Sequence, residues 1–316
     1  MNIPRRVLSF IAIAVALTWS IAGVGALLGV RAEPGWAYMA LAAACMFMPA
    51  VAAIVQQRIL DKAPWAGLGL RLKGMNWKML GATAIVGMLV VPAVFLVVLV
   101  CGNIMGLSGF GDVSITNERL EASLETLMAQ LGGGKADSAT AALVEMVPAW
   151  GILVIMLLSA VLTACTFNLP AMLGEELGWR GYLHQHLAGW PTARRIAFVG
   201  VVWGLWHAPL IAMGHNYPGY PVAGIGMMVV FCVLAAFLFD WSRVRVGAVW
   251  GPCVLHGVLN GSAGAFALFA AGGHVLVGSV VGLAGFVALV LLSLLVLVVD
   301  RRYRMVLLTR EASPGV

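Results

Sequence analysis

Charge is scarce in this chain. Lys, Arg, Asp and Glu make up 10% of its 316 residues, hydrophobic residues make up 62%, and the mean hydropathy is +0.98. That composition leaves too little polar surface for a soluble domain, and the chain reads as a membrane protein. Cysteine is sparse too: Cys45, Cys101, Cys165, Cys232 and Cys253 stand apart in or beside apolar runs, with no CxxC pair. This excludes a disulfide framework and a soft-metal site, and leaves small buried hydrophobes. Neither GxxxxGK[ST] nor GxGxxG after a strand occurs, so a nucleotide site has no motif. The net charge of +6 does not point to nucleic acid, because the bases flank apolar runs and form no stripe with interleaved aromatics. Without a visible inverted repeat, a transporter is the weakest of the membrane-protein readings.

Apolar runs of spanning length are abundant. A spanning helix needs about 20 largely apolar residues, and about eight stretches meet that need: 7–30, 36–56, 79–101, 147–169, 195–213, 222–239, 246–268 and 275–299. The expected fold is all-α, a polytopic transmembrane helical bundle forming one membrane domain over 1–316. The first run follows Arg5 and Arg6, is long for a signal-peptide core and lacks a clear cleavage site, so it is read as a span. Gly200 and Gly204 form a small-xxx-small pair suited to close helix packing.

The connections set the orientation. Segment 56–78 carries Arg58, Lys62, Arg71, Lys73 and Lys78 against Asp61, and suits an interfacial stretch. Segment 102–146 carries six acids against Arg119 and Lys135. Bases at 1–6, 56–78, 240–245 and 300–310 fall on one side if both termini are cytoplasmic, with the acidic loop outside. Within that loop, Leu120, Leu124, Leu127 and Met128 recur at helical spacing, and Gly132–Gly134 end the pattern. Asp240, Arg243 and Arg245 read as an ordinary polar turn.

Several polar residues need an explanation. In GEELGWRGYL, Glu176 and Arg180 are four apart on one helical face, so an ion pair is their simplest reading, while Glu175 has no such local partner. A desolvated glutamate suits proton abstraction from water. Pro170 precedes this helix and redirects the chain. His207 lies in VVWGLWHAPLI, where Pro209 breaks the helix, and His256 and Asn260 sit four apart on another span. Buried polar groups in a span are costly unless they find partners, so these residues are either one pocket or interhelical glue. His184, His186, His215 and His274 are weaker candidates; Trp179, Trp203 and Trp206 suit a pocket wall or membrane anchoring.

Glu175-Glu176-Leu177-Gly178-Trp179-Arg180 as EExxxR, His207 with Trp203 four positions before it, and His256 with Asn260 as HxxxN resemble the motifs of the CAAX prenyl endopeptidase and bacteriocin-processing family (CPBP, Abi) of intramembrane proteases. Trp203 stands where that family usually has Phe. The resemblance covers about residues 146–268, leaving 1–145 as divergent N-terminal spans with an acidic outer loop and 269–316 as a last span with a basic tail. It implies an endopeptidase with a polar cavity opening towards the cytoplasm, acting on a membrane-associated peptide or protein in the lipid bilayer of a bacterial inner membrane. It assigns water activation to Glu175 with His207 and transition-state stabilisation to His256 and Asn260, with Glu176, Arg180 and Trp203 in support. Two mechanisms remain open: metal-free activation, which is preferred because HExxH is absent, and a zinc site drawing on His207, His256 and Glu175. The competing reading is a noncatalytic immunity or partner-binding membrane protein.

Overall fold

A computed structural model describes residues 3–33, 35–130 and 146–308. The chain is helical nearly throughout. Its helices are α1 (Arg5–Leu27), α2 (Trp36–Ile54), α3 (Trp77–Val98), α4 (Asn117–Gln130), α5 (Ala149–Ala164), α6 (Leu169–Glu176), α7 (Thr192–Trp206), α8 (Ala208–Ala212), α9 (Pro221–Val246), α10 (Trp250–Phe269), α11 (Leu283–Val299) and α12 (Arg301–Leu308). Helices α2 and α3 each run on into a π-helical turn, Val55–Leu60 and Leu99–Ile104. Two short strands, β1 (Asp112–Val113) and β2 (Ala270–Ala271), pair antiparallel.

Among the described residues, five helices are long and apolar enough to cross a membrane, or up to seven if each of two bent pairs is one span. The pairs are Ala149–Ala164 with Leu169–His186, bent by 62°, and Leu283–Val299 with Arg301–Leu308, bent by 103°. The expected run 195–213 falls outside that count, because the chain breaks at His207 between α7 and α8. Pro209 in the first turn of α8 explains the break, since its ring cannot continue the preceding helix.

Hydrogen bonds gather the connections at two ends. At one end Ala32 N donates to Met213 O (3.2 Å) and His274 N to Gly109 O (2.8 Å), beside the β1–β2 pair. Ala149 N donates to Asn117 Oδ1 there at 2.8 Å. At the other end Asn76 N donates to Val246 O (3.0 Å) and Val249 N to Gly69 O (2.9 Å), while Tyr182 Oη donates to Asp61 Oδ2 at 2.7 Å. The acidic connection and the basic segments therefore lie at opposite ends of the bundle.

Helix α4 is the expected amphipathic helix of the acidic connection, with Leu120 buried against Val113, Ala149 and Phe269. Its amides at the N-terminus and the Thr116 hydroxyl hold the exposed Glu118 carboxyl below its ordinary value. The glycines expected to end it, 132–134, lie outside the described residues.

Residues 240–245 do not form a turn. α9 continues through them to Val246, and Asp240 and Arg243 are buried on it. Arg195 donates from Nε and Nη2 to the two Asp240 oxygens at 2.8 and 3.0 Å, Tyr303 Oη donates to Asp240 at 2.9 Å, and Arg243 Nε donates to Arg180 O at 2.9 Å. Charges persist inside this helix because each has a partner on another segment, which spacing along the chain does not reveal.

The glycine pair in α7 packs as its spacing predicts. A Cβ on Gly200 would lie 2.5 Å from Val233 Cα, and one on Gly204 2.5 Å from Val229 Cα, so α7 and α9 meet backbone to backbone. This contact fixes Trp203 and His207 relative to α9. Cys45, Cys232 and Cys253 are buried as expected, whereas Cys101 is half-buried and Cys165 exposed.

Candidate active site

The glutamate-bearing helix lies against α2 because small residues let it. A Cβ on Gly174 would come within 2.7 Å of Met46 O, and one on Gly178 within 2.7 Å of Pro49 Cβ. Pro170 occupies the first turn of α6, where its missing N–H costs nothing. After Glu176 the helix widens into a π-helical turn, Leu177–Leu183, all of it buried.

The two adjacent carboxylates point to different partners. Glu175, 3% exposed, accepts a hydrogen bond from Trp203 Nε1 at 3.0 Å. Glu176, fully buried, accepts from Arg180 Nη1 on both oxygens at 3.1 Å and lies 2.9 Å from His256 Nδ1. The Arg180 guanidinium is 4.3 Å from both the Trp203 and Phe239 ring centres, a desolvated stacking site that lysine would not reproduce. Glu176 and Arg180 thus form the ion pair expected from their spacing, with His256 added from α10.

The histidines are oriented by their δ nitrogens. His207 Nδ1 lies 2.8 Å from Trp203 O. A carbonyl only accepts, so Nδ1 carries the proton and Nε2 is left with its lone pair in the neutral ring. His256 is held by the Glu176 carboxylate. Asn260, one turn further along α10, keeps its amide almost free, with only Met172 Sδ at 3.7 Å from Nδ2.

A cavity of about 440 Å³ joins these groups: Glu175, Trp203, His256 and Asn260 line it from α6, α7 and α10, and His207 from the break between α7 and α8. Glu176 and Arg180 lie behind the wall. Trp206 also lines the cavity, whereas Trp179 lies beside Arg180 and His184. One wall residue was undervalued in the sequence. His215 faces the same cavity, its Nδ1 2.7 Å from Tyr38 Oη; its place at the end of a span gave no hint, because Tyr38 is far away in the chain. His184, His186 and His274 stay outside, beside Asp240, Tyr182 and Tyr220.

The cavity wall runs from Glu175 to Asn216 and Ser279, at the end of the bundle that holds the acidic connection.

Among the described residues no three His, Cys, Asp or Glu side chains gather to hold a metal ion, so His207, His256 and Glu175 do not form a zinc ligand group, and no step below passes through a metal.

Glu175, Glu176, Arg180, Trp203, His207, His256 and Asn260 all lie within residues 148–262, which match the family model of type II CAAX prenyl endopeptidase, Rce1-like. No curated protein matches the chain. The long apolar helices mark an integral membrane protein, and residues 148–262, little more than a third of the chain, are similar to the Rce1-like type II CAAX prenyl endopeptidases.

Proposed function

We propose that the chain is an intramembrane endopeptidase that hydrolyses a peptide bond in a membrane-associated peptide or protein, with Glu175 as the base that activates water. The observation that carries this reading is the convergence of Glu175, His207, His256 and Asn260 on one cavity. Glue between helices needs polar groups paired with one another, whereas here Glu175, the Nε2 of His207 and the Asn260 amide face open space.

In the proposed reaction Glu175 takes a proton from water as the water oxygen bonds to the scissile carbonyl carbon. Negative charge moves to the carbonyl oxygen, where Asn260 Nδ2 and the His256 ring supply donors. The tetrahedral intermediate collapses with cleavage of the C–N bond, and the amine leaves with a proton returned from Glu175, His207 Nε2 relaying between them. Glu176 and Arg180 act behind the wall: the carboxylate fixes the His256 ring, and the stacked guanidinium keeps that carboxylate ionised and in place.

Reconstitution in liposomes with a panel of membrane-anchored peptides tests this. The parental protein is expected to cleave at a defined bond and Glu175→Gln to be inactive while monodisperse in detergent. Parental-level cleavage by folded Glu175→Gln would remove Glu175 as the base.

A further inference from the structure

We infer that the groove bounded by α3, α9, α11 and α12 holds one anionic phospholipid of the bilayer, with an acyl chain along α3 and α11 and the phosphate on Arg301 and Arg302. The groove shares no lining residue with the catalytic cavity, so the inference stands apart from the protease reading.

The groove has a volume of about 550 Å³. Ile85 and Leu89 of α3 and Leu295 and Val299 of α11 form its apolar walls, and all four are exposed. Helix α3 starts at the basic end of the bundle, where Asn76 N donates to Val246 O, and the wall runs inward from there. From Met79 to Leu89 it extends about 15 Å, at about 1.5 Å of rise per residue. That shape suits an acyl chain.

Charge is confined to one end of the lining, in Arg245, Asp300, Arg301 and Arg302. The one acid is already satisfied: Asp300 Oδ2 accepts from Trp241 Nε1 at 3.0 Å and from Arg245 Nε, and Oδ1 accepts from Tyr303 N at 3.0 Å. Arg301 and Arg302 are exposed, and among the described residues neither is in an ion pair. Their charge is left for a ligand. Helix α12 leaves α11 at 103° and is anchored by Tyr303 Oη, which donates to Asp240 at 2.9 Å. Both guanidinium groups are therefore carried at the groove mouth, and a guanidinium matches a phosphate in geometry as well as in charge.

The two halves of the groove select the occupant together. A spanning helix from a second copy would cover the apolar walls without using the arginines, and a soluble anion would use the arginines without covering the walls. An anionic phospholipid uses both, and basic pockets between spanning helices bind such headgroups.

The test is native mass spectrometry of the delipidated protein, offered equal amounts of phosphatidylglycerol, phosphatidylethanolamine and phosphatidylcholine with the same acyl chains. One phosphatidylglycerol per chain is expected to be retained, with a preference over phosphatidylcholine of about tenfold, the scale of two arginines acting on one anionic headgroup. Arg301→Gln with Arg302→Gln should abolish the preference, whereas Arg5→Gln with Arg6→Gln, which removes the same charge from α1, should keep it. Leu89→Trp, which obstructs the deep end and leaves the arginines in place, should lower retention at least threefold. Circular dichroism checks that each variant is folded. Equal retention of the three lipids, an equal loss in the Arg5 and Arg6 variant, or full retention by folded Leu89→Trp overturns the inference.

Discussion

Glu176 and His256 lie 2.9 Å apart across α6 and α10, and that contact turns two weak motifs into one unit. A histidine held by a buried carboxylate has its Nδ1 occupied and its ring plane fixed. The preceding residue, Glu175, faces the cavity on another azimuth, so adjacent glutamates serve separate tasks.

Arg180→Ala is expected to destabilise the fold by about 3–5 kcal/mol, because it takes the guanidinium from the buried Glu176 carboxylate and leaves it His256 alone as partner. Glu176→Gln combined with Arg180→Met should recover much of that loss yet remain inactive, since His256 loses its carboxylate. Thermal unfolding in detergent, read beside peptide cleavage, checks both halves. A double variant that regained activity would show that the pair serves folding only.

Trp203→Phe restores the aromatic residue usual in the family and removes the indole N–H that Glu175 accepts. Its ring still stacks on Arg180, so stability should change little. The catalytic rate should fall by about tenfold, the scale of one lost hydrogen bond to a charged group. An unchanged rate constant would mean that the bond does not position Glu175.

Asn260→Ala should slow turnover by about 10²–10³ with a near-parental KM if its amide stabilises the oxyanion. A rise in KM alone, or a loss of folding in circular dichroism, would assign Asn260 to binding or packing.

Gly204→Val should cost about 1–3 kcal/mol or more, because its side chain would meet the backbone of Val229 and force α7 from α9. Gly226→Ala, with nothing within 4 Å of the added carbon, is the matched control and should be neutral or slightly stabilising. Melting temperatures of the two variants in one detergent decide it.

Exhaustive chelation is expected to leave peptide cleavage unchanged, since no three-ligand group forms among the described residues. About one zinc per active chain, with activity lost on its removal and restored on its return, would overturn this.

The sequence carried the parts of this site that depend on local spacing. Glu176–Arg180 and His256–Asn260 follow from a helical repeat, the break at His207 from Pro209, and the α7–α9 contact from Gly200 and Gly204. Pairings between distant segments left no such trace. Nothing along the chain links Asp240 to Arg195 and Tyr303, and these three charged or polar groups turn an apparent loop into buried helix. His215 looked peripheral because its partner, Tyr38, lies 177 residues away. The cavity's extent left no trace in the chain for the same reason: it depends on which connections share an end, and that is set by bonds such as His274 to Gly109.

The π-helical turn Leu177–Leu183 bears on what lengths this chain can tolerate. Its wider hydrogen-bonded ring stores one residue more than an α-helix would over the same rise. Deleting a single residue there would release the stored residue into a regular helix and leave the phase beyond it nearly unchanged, whereas a deletion in the α-helical stretch Leu169–Glu176 would turn everything beyond it by about 100°. In that second case Tyr182 would swing off Asp61, and the Arg180 carbonyl away from Arg243. The number of residues in Leu169–Glu176 is therefore as constrained as their identity, while the π-helical turn is where the loss of one residue displaces the following segment least.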